Sequence, residues 1–482
     1  MTGHALAGVK DSCLQAGMDA YITKPISLDD VRRAIAEVYI KTGHAPSANV
    51  ENAAFVECVI SGLVPPRAYR LRCWFMNLKL LATTLFSISI IPCSQADDWL
   101  TWRGPHGNGS AEAGQDPPIK LEKPKWSVDL AGRSHGSPIV AKGRVYLAAA
   151  DEEKQTQSVL CFDRKTGEEI WKAIVHEGGF KQKLNKKGTW ASSSPATDGE
   201  RIFINFVNGN AAFTTALDLD GKQLWQTTIC DYKIHQAYGS SPTIYKNLVI
   251  VSADNKLGGA ISGLDRKTGN VIWTVKRGKE PNYPSPIVLK AAGKDQLFMT
   301  GTNKVTSIDP ATGAINWEVD GATTECVTTT VTDGKRIYST GGYPKNHVAA
   351  IEADGSGKIS WETKDRVYVP SMLINDGFLF AVMDSGVAIC WNAETGKEQW
   401  KARLGGNFSA SPTLVGENIY AANESGTVYV FKASTSGLEV ISEQKVGDAI
   451  FASPVICGGQ IFLRVADFAG NKRSERLVCF GK

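Results

Sequence analysis

CFDRKTGEEIW (161–171), GLDRKTGNVIW (263–273) and CWNAETGKEQW (390–400) are one phrase written three times. In each, a strand-like run ends in Asp or Asn, a tight turn carries Gly, and Trp follows four residues after that Gly. ALDLDGKQLW (216–225), SIDPATGAINW (307–317) and AIEADGSGKISW (350–361) repeat it, and FKASTSGLEVI (431–441) is a degenerate copy with Ile441 in the place of Trp. Trp171, Trp225, Trp273, Trp317, Trp361 and Trp400 therefore recur every 39 to 54 residues. A period of that length with about four strands per unit is the mark of a β-propeller.

Working outward from the phrase, each unit opens on Ser-Pro or an equivalent pair, as in SPIVAKGRVYLAAA (137–150) and SPTIYKNLVIVSA (241–253). Apolar residues then alternate over five or six positions between Gly-, Asn-, Asp- or Lys-bearing turns, which is the pattern of strands. Gly in the repeated turn supplies positive φ, and Asp and Thr beside it can bond nearby backbone. The large side chain that returns once per unit is expected to cover the neighbouring unit, a structural docking role.

Openings at Ser137, Ser194, Ser241, Ser285, Thr329, Pro370, Ser411 and Ser453 give eight units. The last stops at SERLVCFGK without a fourth strand, whereas LEKPKWSVDL (121–130), with Trp126, precedes the first. A strand donated from the N-terminal side would close the ring and leave no bare sheet edge. The expected fold is all-β: an eight-bladed propeller of four-stranded blades over 121–482, preceded by a leader at 97–120.

Upstream lie two segments of another kind. MNLKLLATTLFSISIIPCSQA (76–96) has Lys79 in a basic start, an apolar core from Leu80 to Ile91 and a small-x-small site ending at Ala96. This is a secretory signal, with cleavage after Ala96 and a periplasmic or secreted product. Its core is short for a bilayer span, and no transmembrane span is expected in the mature chain. Ile-Ile-Pro before Cys93 lacks the small residue of a lipobox, which speaks against a lipoprotein. Before Met76, Met1 to Ala5, Ala16 to Asp19 and Tyr21 to Pro25 resemble the last third of a response-regulator receiver domain. That resemblance would make Thr2 the switch hydroxyl and Lys24 the phosphate sensor, but about 40 residues cannot bury a core of their own. Residues 1–75 read as a remnant and linker without function.

Charge excludes one class of partner. The formal net charge is +4; residues 1–96 hold 9 basic and 7 acidic side chains, leaving 44 − 42 = +2 for the rest. A near-neutral chain with no basic stripe is not built for nucleic acid. Cys161, Cys390 and Cys479 occupy related positions in different units and read as small core residues rather than disulfide partners.

The repeated Ala-x-Asp-x-x-Thr-Gly-x-x-x-Trp phrase resembles the tryptophan-docking repeat of the pyrroloquinoline quinone (PQQ) propeller superfamily, including its BamB-like members. The leader DDWLTWRGPHGNG (97–109) is similar to the opening of secreted planctomycete-type members. The superfamily holds PQQ-dependent alcohol and sugar dehydrogenases as well as non-enzymatic scaffolds. The enzymes carry a vicinal disulfide over the cofactor and a Ca²⁺ held by Glu, Asn and Asp; this chain has no adjacent Cys pair, and Glu325 and Asn407 stand alone. Neither a kinase loop set nor a metal-ligand spacing is present, so no catalytic or metal residue is assigned.

One constellation remains. His135, Trp190, Tyr238, Tyr283, Tyr368, Phe408 and Phe451 lie just before the openings, where first strands would bring them to one mouth of the channel. With His235, Lys186 and Lys187 as a polar rim, they would form an aromatic-walled pocket for a planar ligand, a sugar or a side chain of an envelope protein. The same rings could instead plug the funnel or pad the blade contacts. The expected function is a non-catalytic cell-envelope binding or scaffolding propeller with no cofactor. The alternative is a PQQ-dependent dehydrogenase of alcohols or sugars, with PQQ and Ca²⁺.

Overall fold

Alternating apolar runs between glycine turns become 32 strands in a computed structural model that describes residues 98–481. The receiver-like stretch, the linker and the signal segment with Cys93 lie outside the described residues. The strands make eight four-stranded antiparallel sheets, each in plain sequential order except the last. Blades 1 to 7 span 139–177, 196–231, 243–276, 287–320, 331–363, 373–403 and 413–445. Blade 8 combines Val455–Cys457, Gln460–Ala469 and Lys472–Gly481 with Trp126–Leu130, whose Trp126 pairs with Cys479. The ring is therefore closed by the N-terminal strand.

The second and third strands of each blade are buried on both faces, as in Arg144–Asp151 and Thr156–Asp163, because neighbouring blades cover both sides. That packing explains their small and apolar content. The fourth strands alternate between exposed and half-buried positions at the outer rim.

The tryptophans lock blade to blade. Trp361 donates its indole N–H to the carbonyl of Ala393 in the next blade at 2.8 Å, and its ring lies on Gly396 of that blade's turn. Trp126, Trp171, Trp225 and Trp400 donate in the same way to Arg164, Leu219, Arg266 and Ser434 at 2.7–3.2 Å. Trp317 donates instead to the Gln296 side chain at 3.2 Å, and the Trp273 ring covers Gly313 while its N–H finds no partner among the described residues. Within its own blade each ring stands opposite a small residue: Cys161, Ala216, Gly263, Ser307, Ala350, Cys390 or Cys479. The ring needs that space, and Cys161, Cys390 and Cys479 make no disulfide there.

A buried ion pair reinforces the seam. Arg464 and Glu475 meet at 2.5 Å, and Arg464 also donates to the carbonyls of Ala148 and Gly132 in and beside blade 1 at 2.8 and 3.0 Å.

Candidate functional site: a channel closed at one end

The hydroxyls that open the blades form a belt. The backbone N–H of Ser137 donates to the Ser194 hydroxyl at 2.8 Å, Ser194 to Ser241 at 2.9 Å and Ser241 to Ser285 at 2.9 Å. On the far side Thr329 donates to Ser371 at 3.0 Å, Ser371 to Ser411 at 2.9 Å, Ser411 to Ser453 at 2.8 Å, and Ser453 back to Ser137 at 2.9 Å. Seven of eight steps are made. In blade 6 the belt residue is Ser371 and not the expected Pro370; the usual serine-proline order is reversed there, and Met372 follows the serine.

The belt encloses a cavity of about 200 Å³ at the centre of the ring. Its upper wall comes from the position two residues before each belt hydroxyl: His135, Ser192, Gly239, Tyr283, Val327, Val369, Ser409 and Phe451. Side chains of extended chain alternate in direction, so a residue two before the belt faces the channel as the belt does.

That parity sorts the residues expected at the mouth. His135, Tyr283 and Phe451 lie two before the belt and line the cavity; His135 stacks on Phe451 with ring centres 4.4 Å apart. Tyr238, Tyr368 and Phe408 lie three before it and turn away. Tyr238 is buried against Tyr232 and donates to the Ser252 carbonyl at 2.8 Å, and Phe408 is fully buried beside Tyr429. Tyr368 packs under the Arg366 guanidinium. Trp190, four before the belt, stacks on Phe180 at 4.3 Å instead of entering the cavity. His235 pairs with Glu325 at 3.3 Å and is absent from the cavity wall, as is the exposed Lys186. Lys187 does reach the wall, where it meets Glu424 at 2.7 Å. The signal that sorts these residues is spacing from the belt, not aromaticity.

The other end of the channel is closed by the leader, which sequence reasoning treated only as a family signature. Trp99 exchanges backbone bonds with Val140 of blade 1 at 2.7 and 2.9 Å, and the Leu100 carbonyl accepts from Thr197 of blade 2 at 2.9 Å. Trp102 then enters the channel, and its indole N–H donates to the Thr329 hydroxyl at 2.8 Å. The buried Arg103 guanidinium donates to the carbonyls of Asn108, Met372 and Pro412 at 2.7, 2.5 and 3.1 Å, joining blades 6 and 7. Gly109 and Ala111 continue the strap along Leu414 of blade 7. A channel that crosses the ring thus becomes a well with one mouth.

Electrostatics at the mouth are uneven. Burial, and then Arg133, Arg473, Arg464 and Lys187, push the His135 imidazole well below its ordinary range, so it is neutral at pH 7. Its Nε2 is buried and has no partner among the described residues. Across the mouth, burial and then the Glu325 carboxylate raise the Tyr283 phenol, which stays protonated. Elsewhere, a hollow of about 680 Å³ beside blades 4 and 5 holds the His347–Glu362 contact at 3.2 Å, but it is lined from that side of the ring alone, whereas the channel draws a wall residue from every blade.

The family model described as outer membrane protein assembly factor BamB matches residues 155–402 and 344–439. The chain belongs to that family. BamB of Burkholderia pseudomallei is 25% identical over 357 residues, covering 71% of this chain and 84% of that protein. A polyvinylalcohol dehydrogenase of Sphingopyxis sp. is 23% identical over 423 residues, 79% of this chain but 56% of the enzyme. Among solved structures, a europium-containing methanol dehydrogenase superposes with a TM-score of 0.62 at 12% identity, over 81% of this chain and 99% of that one. BamB from Moraxella catarrhalis gives 0.52 at 14%, over 74% and 97%. At these identities the superpositions show the shared propeller fold and nothing finer, and this BamB-family chain has distant kin of both kinds.

Proposed function

We propose that this protein is a non-catalytic binding or scaffolding propeller of the cell envelope, offering the open mouth of its channel to a protein or small ligand. The observation that carries this reading is the composition of the wall: hydroxyls, aliphatic groups, two aromatic rings, indole, imidazole and the Lys187 ammonium, with no Asp or Glu among the lining residues. A Ca²⁺-bound quinone needs several hard oxygen ligands, chiefly carboxylates, around the ion. The residues present do not fit it. Among the described residues no three His, Cys, Asp or Glu group as metal ligands, and Glu325 is already engaged with His235.

Family membership supports the same reading, as does the secretory signal expected at 76–96. The likeness to polyvinylalcohol dehydrogenases favours an oxidoreductase as the second reading. Photo-crosslinking in the native envelope tests the first. A benzoylphenylalanine at Phe451, on the mouth, should give a discrete adduct, whereas the same group at Ile272, on an outer strand, should not. Adducts from the outer strand alone would overturn the reading.

A further inference from the structure

Each belt serine accepts a backbone N–H from its neighbour, and a serine hydroxyl has one proton of its own to give. Among the described residues, none of the belt serines finds an acceptor for that proton. Ser194, Ser241, Ser285, Ser371, Ser411 and Ser453 all line the cavity, so their donors surround one small space. The eighth belt member, Thr329, already accepts from the Trp102 indole, which seals the floor beneath them. Each hydroxyl has one partner in its neighbour's N–H, and its own proton is left for water or a bound ligand in the open well.

The chamber lacks a carboxylate wall, and charge near its mouth on the blade 8 and blade 1 side runs positive. Arg133, Arg464, Arg473 and Lys187 stand there against Glu475, Glu424 and Glu152. The Glu325–His235 pair lies on the opposite side, near Tyr283. Burial leaves the His135 ring neutral on the wall, stacked on Phe451.

We propose that the closed channel is an oxyanion well that takes a compact tetrahedral anion, phosphate or sulfate, on the free hydroxyls of the serine belt. This deepens the binding-propeller reading and rests on it. The volume suits the size class: about 200 Å³ admits one such ion with a few waters, each water occupying roughly 30 Å³ of liquid. Hydroxyls carried on a belt with seven of its eight backbone steps made are gathered around one space before the ion arrives, which is the arrangement that favours anions over solvent.

Calorimetric titration of the full chain with inorganic phosphate, with sulfate, and with diphenyl phosphate at constant ionic strength tests the proposal. One site per chain is expected for phosphate and sulfate, with at least tenfold weaker binding of the organic ester, whose two phenyl groups exceed the space left beside one ion in the well. Equal binding of the ester would place the anion at the open surface and overturn the well. Val327→Asp adds a carboxylate to the wall without touching the belt and should weaken phosphate at least tenfold with the melting temperature nearly unchanged. Ser241→Ala removes one donor and should weaken it several-fold. Because that change also takes an acceptor from the Ser194 N–H, its melting curve is read alongside. Absence of phosphate and sulfate binding at millimolar concentration, or full affinity in Val327→Asp, overturns the proposal. Crosslinks from Phe451 together with no anion binding would remove only the oxyanion; crosslinks confined to Ile272 would remove the parent reading whether or not phosphate binds.

Discussion

At the scale of single residues, the contact that matters most is a tryptophan resting on the next blade's glycine. Gly396 has φ +70°, and a Cβ there would lie 2.5 Å from the Trp361 ring. Gly396→Ala combines left-handed strain with a clash and should cost at least about 2 kcal/mol by chemical denaturation. Arg103 is the second test. Burial lowers its guanidinium to about 9, so it remains charged at neutral pH while three carbonyls hold it. Arg103→Leu strands those carbonyls and should destabilise by about 3 kcal/mol. The third is pH. His176, half-buried between Phe206 and Phe213, is pushed down to about 4 by burial, and its Nε2 has no partner among the described residues. Below about pH 6.5 the unfolded chain takes up a proton that the folded chain refuses until about 4. Stability should therefore fall as pH drops through that window, by up to about 3 kcal/mol from this group. His176→Phe should reduce the slope in thermal melts from pH 7 to 4.5, leaving the part that His135 contributes in the same direction.

At the scale of elements, the fourth strands were legible in the sequence because Trp, Gly and spacing repeat together, and the small residues opposite Trp were visible as Cys161, Cys390 and Cys479. The mouth was only partly legible. Aromatic residues near the openings were gathered by proximity, yet a one-residue offset sends a side chain to the other face, so Tyr283 and Phe451 enter the channel while Tyr238 and Phe408 do not. In blade 6 the proline misplaced the anchor by one residue. The plug was not legible at all, because residues 98–111 have no repeat and take their path from bonds to blades far along the chain. The closing strand is the element with the sharpest test. Deleting Trp126–Leu130 leaves the ten-residue strand Lys472–Gly481 as a bare edge and removes the Trp126 dock on blade 1. Soluble, cooperative folding should be lost; a deletion variant that melts like the parent would show that the ring does not depend on this strand.

At the scale of the whole molecule, eight blades produce one small shared space, and its character follows from what every blade contributes alike. A repeated hydroxyl gives a belt, a repeated position two before it gives a wall, and the leader, which carries no repeat, supplies the floor. Enzymes and scaffolds share this architecture, so the chemistry of the wall has to separate them. The central claim is that this wall binds without turnover. The most direct test is to mix the purified chain with PQQ and Ca²⁺ and follow dye-linked oxidation of a panel of primary alcohols, polyvinyl alcohol and aldoses. No oxidation above the rate of the cofactor and ion alone is expected. Saturable, protein-dependent dye reduction that is abolished by removing Ca²⁺ would contradict it.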